Sequence, residues 1–81
     1  MKKQQNAAPM IVLGSTFRLR DLELGERDTY TLTRPSDADI RHNRISTLTP
    51  LGKAIYGRQP GEVVDVEAPG GMFRFEIEAI K

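Results

Sequence analysis

The sequence predicts an α+β domain in which a small antiparallel sheet is covered on one side by a short helix. Segments near both ends of the chain alternate apolar and polar residues, which is the period of a half-buried strand. Between them lies one segment with the start and stop signals of a helix. The chain has 81 residues, which is enough for a single domain with one core.

The first nine residues differ from the rest in composition. Lys2, Lys3, Gln4 and Gln5 are polar, and little in residues 1–9 can pack into a core. We predict a disordered tail over 1–9 and a folded domain over 10–81.

Two alternating segments predict an N-terminal hairpin. Phe17 and Leu19 alternate with polar neighbours, and so do Tyr30 and Leu32. Gly25 lies between the two segments and tolerates the positive φ of a tight turn. The two strands are therefore expected to pair as an antiparallel hairpin.

The segment 34–44 is polar and rich in turn-forming residues, and Asp37 and Asp39 are expected to form Asx turns within it. A short strand at Ile45 then leads into the helix. Thr49 is a suitable N-cap, and Pro50 suits the first helical position because its missing N–H has no partner to lose there. Leu51, Ala54 and Ile55 give the helix one apolar face, and Gly57 is placed to end it.

The C-terminal part predicts a second hairpin. Val64 and Val66 lie on one face of a strand, and the residues 68–71 have the composition of a tight turn. In the last strand, one face is predicted to consist of Phe73, Phe75, Ile77 and Ala79. Because the other face is charged, the sheet is expected to be buried on one side only.

Composition excludes several classes of protein. The net charge is +1 and cysteine is absent, so neither a broad nucleic-acid-binding surface nor a disulfide or thiolate metal site is expected. No apolar run approaches the roughly 18 residues of a membrane span, and the predicted location is the cytoplasm. We expect no cofactor and no metal.

His42 is the one histidine and therefore the one candidate for a histidine-based catalytic centre. It lies in the polar segment beside Arg41 and Asn43, with no evident residue to orient it, so a solvated loop residue is the better prediction. The spacing of Asp37, Asp39 and His42 fits neither a calcium loop nor a zinc signature. The chain is predicted not to be an enzyme.

Leu48 precedes the N-cap, and its partner for a hydrophobic staple would be Lys53, which is charged. Two placements remain open for this side chain: folded under into the core, or exposed at the corner between strand and helix. An exposed leucine beside Pro50 is what a small docking surface needs.

Five segments carry a resemblance to a known family. They occur in the family's order with nearly its spacing, and they are residues 14–22, 35–39, 45–57, 61–66 and 68–71. From about Leu13 to Lys81 the chain resembles the C-terminal domain of the GreA/GreB transcription factors, including the Rnk-type regulator of nucleoside diphosphate kinase. An apolar residue at Leu48 is more typical of the Rnk-like branch.

The resemblance implies an FKBP-like fold and a docking function. In Gre-type factors this domain binds bacterial RNA polymerase at a coiled coil of the largest subunit, on the rim of the secondary channel. Carried over to this sequence, the contact residues are Ser46, Leu48, Thr49 and Pro50. A module that modulates elongation, with no membrane and no sequence-specific nucleic acid as partner, is therefore the predicted function.

The resemblance also sets an expectation about activity. In Gre-type factors transcript cleavage depends on an N-terminal coiled coil, and residues 1–9 show neither heptads nor acidic character. The chain is therefore expected not to stimulate cleavage by itself. Two alternatives are an FKBP-type prolyl isomerase and a Rnk-like regulator of a nucleotide enzyme, although the 6% aromatic content, mostly assigned to the core, disfavours an isomerase pocket.

Overall fold

The computed structural model describes residues 9–81, so the tail predicted over 1–9 lies outside the described residues except for Pro9. The elements in chain order are β1 (Thr16–Asp21), β2 (Arg27–Thr33), β3 (Arg44–Ser46), α1 (Pro50–Ile55), β4 (Val63–Ala68) and β5 (Gly71–Ile80). Two 3-10 turns, Pro35–Asp37 and Ile40–His42, lie between β2 and β3. The α+β class predicted from the sequence is confirmed.

The strands form one sheet in the order β3-β2-β1-β5-β4. Both predicted hairpins are present, because β1 pairs antiparallel with β2 and β4 pairs antiparallel with β5. The edge strand β3 runs parallel to β2, with Leu32 opposite Ile45. The prediction of an antiparallel sheet is therefore wrong at this edge. The segment 34–43 carries the chain back along the sheet, so that β3 points the same way as β2.

A β-bulge changes which residues of β5 face the core. Phe17 pairs with Ile80 and Leu19 pairs with Ile77, so Glu78 is an extra residue in β5 that has no partner in β1. Ile80 therefore packs against the core, in the place predicted for Ala79. Ala79 lies opposite Arg18 and falls on the outer face, so its predicted core position is wrong.

The core lies between the inner face of the sheet and α1. Ile55 of the helix is fully buried, and Leu51 and Ala54 pack against the same cluster. The buried residues of this cluster come from the helix, four strands and the segment before β1, and they are Ile11, Phe17, Leu19, Leu32, Ile55, Val64, Val66 and Ile77. Ile45 of β3 is buried as well. The apolar helix face and the single buried side of the sheet are confirmed.

Ile11 closes the core at the end of the helix. Its side chain is fully buried, its amide donates to the Arg58 carbonyl at 2.9 Å, and its carbonyl accepts from the Gly57 amide at 2.7 Å. Gly57 has φ 80°, the left-handed conformation predicted for a helix stop. The segment before β1 therefore fixes the C-terminal end of α1.

Candidate partner-binding site

The segment 46–50 forms a rigid corner between β3 and α1, and we call it the Leu48 corner. Ser46 is 8% exposed, and its hydroxyl accepts a hydrogen bond from the Leu48 amide at 3.0 Å. Its carbonyl accepts from the Thr49 amide at 3.2 Å and from the Thr49 hydroxyl at 2.8 Å. The end of β3 thus organises the backbone of the corner.

Thr49 joins the corner to the helix. Its hydroxyl accepts from the Gly52 amide at 3.0 Å, and its carbonyl accepts from the Lys53 amide at 2.9 Å. Pro50 occupies the first helical position and is exposed. The predicted N-cap and proline start are confirmed, and they fix the direction in which the chain leaves the corner.

The structure resolves the two placements that the sequence leaves open for Leu48. The side chain is 66% exposed and points away from the core. Of the four predicted contact residues, Leu48 and Pro50 are exposed, Thr49 is partly buried and Ser46 is buried. The accessible part of the corner is therefore Leu48 and Pro50, with Ser46 and Thr49 holding them in place.

Gly52 is a determinant of the corner that the sequence analysis did not single out. A β-carbon at this position would overlap the carbonyl group of Ser46. A side chain here would push α1 away from the end of β3. The signal in the sequence is a glycine in the interior of a predicted helix, where it is otherwise unfavourable by about 1 kcal/mol.

A concave cleft of about 590 Å³ borders the corner through Ser46, Thr49 and Pro50, and we call it the Tyr30 cleft. Its aromatic lining consists of Tyr30, Phe73 and Phe75, which also pack partly buried against the core. The expected role of these aromatic residues in core packing is confirmed. The same rings serve both the core and an open cleft.

The phenol of Tyr30 lies in an acidic environment. Burial raises its pKa above the ordinary value, and the nearby carboxylates of Asp28, Asp21 and Glu26 raise this pKa further. Both effects disfavour the phenolate, since one removes water and the other adds negative charge.

His42 has an orienting partner, contrary to the sequence-based expectation. Its Nδ1 lies 2.7 Å from Oδ2 of Asp39, because residues three apart lie nearly in line in a 3-10 turn. The pKa of Asp39 is lowered mainly by this contact, and next by the hydrogen bond from the Arg41 amide. The Asx turn predicted at Asp39 is thus present, whereas the carboxylate of Asp37 pairs with Arg34 at 3.3 Å.

Residues 9–81 show neither a candidate metal site nor a helix that could span a membrane. No group of three or more histidine, aspartate or glutamate side chains is arranged to hold a metal ion. No helix in this part of the chain is long and apolar enough to cross a membrane.

Curated proteins similar to this chain include GreA factors from several bacteria. Transcription elongation factor GreA from Thioalkalivibrio sulfidiphilus is 41% identical over 76 residues, which cover 94% of this chain and 48% of that protein. GreA from Desulfovibrio desulfuricans is 42% identical over 67 residues, covering 83% of this chain and 41% of that protein. The chain spans about half the length of the curated relatives it matches.

Solved structures agree in fold. GreA factor homolog 1 of Thermus thermophilus superposes with a TM-score of 0.80 at 30% identity, covering 100% of this chain and 54% of that one. The elongation factor GreA/GreB from Nitrosomonas europaea gives a TM-score of 0.76 at 29% identity over 95% of this chain and 64% of its own. The family model described as transcription elongation factor, GreA/GreB, C-terminal, matches residues 5–81. The chain therefore belongs to the GreA/GreB family of transcription elongation factors, which it matches through the family's C-terminal domain.

Proposed function

We propose that this chain is a binding module that docks on bacterial RNA polymerase through the Leu48 corner and modulates transcription elongation. Family membership supports the partner, because the relatives are named transcription elongation factors. The observation that carries the site is the 66% exposure of Leu48 on a corner held by buried Ser46. The partner surface is the coiled coil of the largest subunit at the rim of the secondary channel.

The geometry of the corner supports a docking role over a purely structural one. An exposed leucine contributes little to its own fold, yet the backbone beneath it is fixed by three hydrogen bonds to Ser46. Because this backbone is already ordered, docking costs little backbone conformational entropy, and burial of the leucine side chain contributes more to affinity. We also propose that the fold is FKBP-like and that the docked module acts in the cytoplasm.

Binding of the purified chain to core RNA polymerase, with full-length GreA as competitor, tests the proposal. Leu48→Asp should weaken binding at least about tenfold, since an anchor residue contributes about 2 kcal/mol or more. Leu24→Asp is the matched control, because Leu24 is 70% exposed on the turn between β1 and β2. If the folded Leu48→Asp and Leu24→Asp variants bound polymerase equally well, the Leu48 corner would not be the docking site.

We further propose that the 81 residues alone are not an enzyme and do not stimulate transcript cleavage. A bound module without cleavage activity would compete with full-length cleavage factors for the same site on the rim of the polymerase secondary channel. The measurement is RNA cleavage in backtracked elongation complexes, with GreA added before or after the chain. Cleavage stimulated by the chain alone would contradict this part of the proposal.

A second candidate function, prolyl isomerisation, is favoured by one observation: the cleft lined by Tyr30, Phe73 and Phe75. An isomerase site is an apolar concavity of this kind. The chymotrypsin-coupled peptide assay separates the two candidates. We expect no acceleration over the uncatalysed rate, and a clear acceleration would place the second candidate first.

A further inference from the structure

The Tyr30 cleft is large and apolar enough to take a ligand group. Its volume of about 590 Å³ falls within the usual range for ligand sites, roughly 300–1,000 Å³. Apolar side chains from α1 and the central and edge strands line it together, and among them are Tyr30, Leu51, Val66, Phe73 and Phe75. Leu48 is not part of this lining, but Ser46, Thr49 and Pro50 are, so the cleft adjoins the Leu48 corner without including its exposed leucine.

The lining of the cleft is held in place before any ligand arrives. Tyr30, Leu51, Phe73 and Phe75 pack against the buried core, and the Tyr30 ring lies 6.4 Å from that of Phe17. Side chains already fixed by the core need little further ordering on binding. The cleft is therefore preorganised.

One side of the cleft is negatively charged. Asp21, Glu26 and Asp28 line it, and none of the three forms an ion pair with another residue in 9–81. Two arginines also line the cleft. The Nε of Arg27 binds both carboxylate oxygens of Glu78, at 3.0 and 2.9 Å, whereas Arg44 forms no ion pair among residues 9–81. Asp39 is a fourth acidic residue of the lining, so acidic residues outnumber the two arginines and favour a cation beside an apolar group.

The raised pKa of Tyr30 agrees with this distribution of charge. The carboxylates of Asp28, Asp21 and Glu26 raise the pKa of its phenol, and all three residues line the cleft together with the ring. An apolar group placed on the ring would bring an adjacent ammonium or guanidinium within reach of them.

We propose that the Tyr30 cleft binds an apolar side chain of an extended protein segment that carries lysine or arginine next to it. The apolar side chain lies on Tyr30, Phe73 and Phe75, and the cation pairs with Glu26 and Asp28. Shape and charge define the occupant together, because an apolar peptide with acidic neighbours would meet the same carboxylates with the wrong sign. This site goes beyond polymerase docking at Leu48, although Ser46, Thr49 and Pro50 belong both to the Leu48 corner and to the lining of the cleft.

Three capped peptides test the proposal by calorimetry on the purified chain. The first has leucine and phenylalanine flanked by lysines, the second has glutamates in place of the lysines, and the third keeps the lysines but replaces the apolar pair by serines. We expect the first to bind at least about tenfold more tightly than either of the others. Comparable affinity for all three, or no binding of the first at millimolar concentration, would overturn the proposal.

Variants locate the site. The double variant Glu26→Gln with Asp28→Asn should weaken binding of the first peptide about tenfold, whereas Glu67→Gln, on the outer face of β4, should leave it unchanged. Leu48→Asp should also leave peptide binding unchanged while it weakens polymerase binding. If Glu67→Gln weakened peptide binding as much as the Glu26/Asp28 double variant, the peptide would not bind in the Tyr30 cleft. If Leu48→Asp weakened polymerase binding but not peptide binding, the proposed peptide site would stand.

Discussion

The carbonyl group of Ser46 lies against the α-carbon of Gly52, in the space that a β-carbon on that residue would need. This contact joins the last residue of β3 to the first turn of α1. The same carbonyl accepts both hydrogen bonds from Thr49, so it has little freedom to move aside. The exposed Leu48 lies between these two fixed points, and the predictions for Gly52 and Thr49 depend on this arrangement.

Gly52→Ala should destabilise the fold although alanine is the better helix former. The helical gain is about 1 kcal/mol, and the overlap with a fixed backbone carbonyl outweighs it, for a net loss on the order of 2 kcal/mol. Gly70→Ala is the control, because a β-carbon there meets only the Phe73 ring at an ordinary 3.9 Å. Urea unfolding of both variants is the measurement, and equal midpoints would refute the contact.

Thr49→Ala should lower the free energy of unfolding by about 1 kcal/mol, the usual cost of losing an N-cap side chain. The variant loses the hydrogen bond from the Gly52 amide and the one donated to the Ser46 carbonyl. Thr49→Ser keeps a hydroxyl in the same place and should retain most of the stability. If serine and alanine are equally destabilising, the methyl group rather than the cap is responsible.

Asp28→Asn should lower the pKa of the Tyr30 phenol while leaving it above the ordinary value of 10.0. The substitution removes one negative charge, but burial, the largest cause of the shift, remains. Absorbance titration of tyrosinate in a Tyr56→Phe background isolates this phenol. An unchanged pKa would mean that the Asp28 carboxylate does not face the cleft.

His42→Ala should raise the pKa of the Asp39 carboxyl toward its ordinary value of 3.8. Because this pKa is lowered in the folded state, the stabilisation is present above the unfolded-state pKa and is lost as pH falls through the folded-state pKa. Carboxyl carbon shifts in NMR titrations of both proteins give the two values. The same pKa in both would contradict the 2.7 Å contact as its main cause.

Local signals in the sequence predict most of the elements and the frame of the corner. Thr49, Pro50 and Gly57 act through their own backbone and cap geometry, and such effects can be read without knowing the fold. The direction of β3 and the bulge at Glu78 depend on which strands are neighbours, which no local pattern contains. For that reason the alternation in β5 correctly predicts Ile77 but misplaces Ala79.

In the candidate site, too, some parts can be predicted from local sequence and others depend on the fold. The residues of the Leu48 corner are contiguous, so one segment of sequence contains them all. The Tyr30 cleft combines residues from α1, all five strands and the loops between them. Its aromatic rings also pack against the core, so in the sequence they have the pattern of core residues. Exposure of Leu48 itself depends on what lies beneath the corner, and a contiguous motif does not provide that information.

The parallel pairing of β3 with β2 has a consequence for how relatives of this chain can diverge. A parallel neighbour obliges the chain to make a surface excursion, here residues 34–43, before it can pair again. Ala38, Asp39 and Ile40 of that excursion form one wall of the Tyr30 cleft. Doubling the length of such a loop costs only about 0.6 kcal/mol of closure entropy. Insertions and deletions there can reshape this wall of the cleft while the sheet register and the Leu48 corner stay constant.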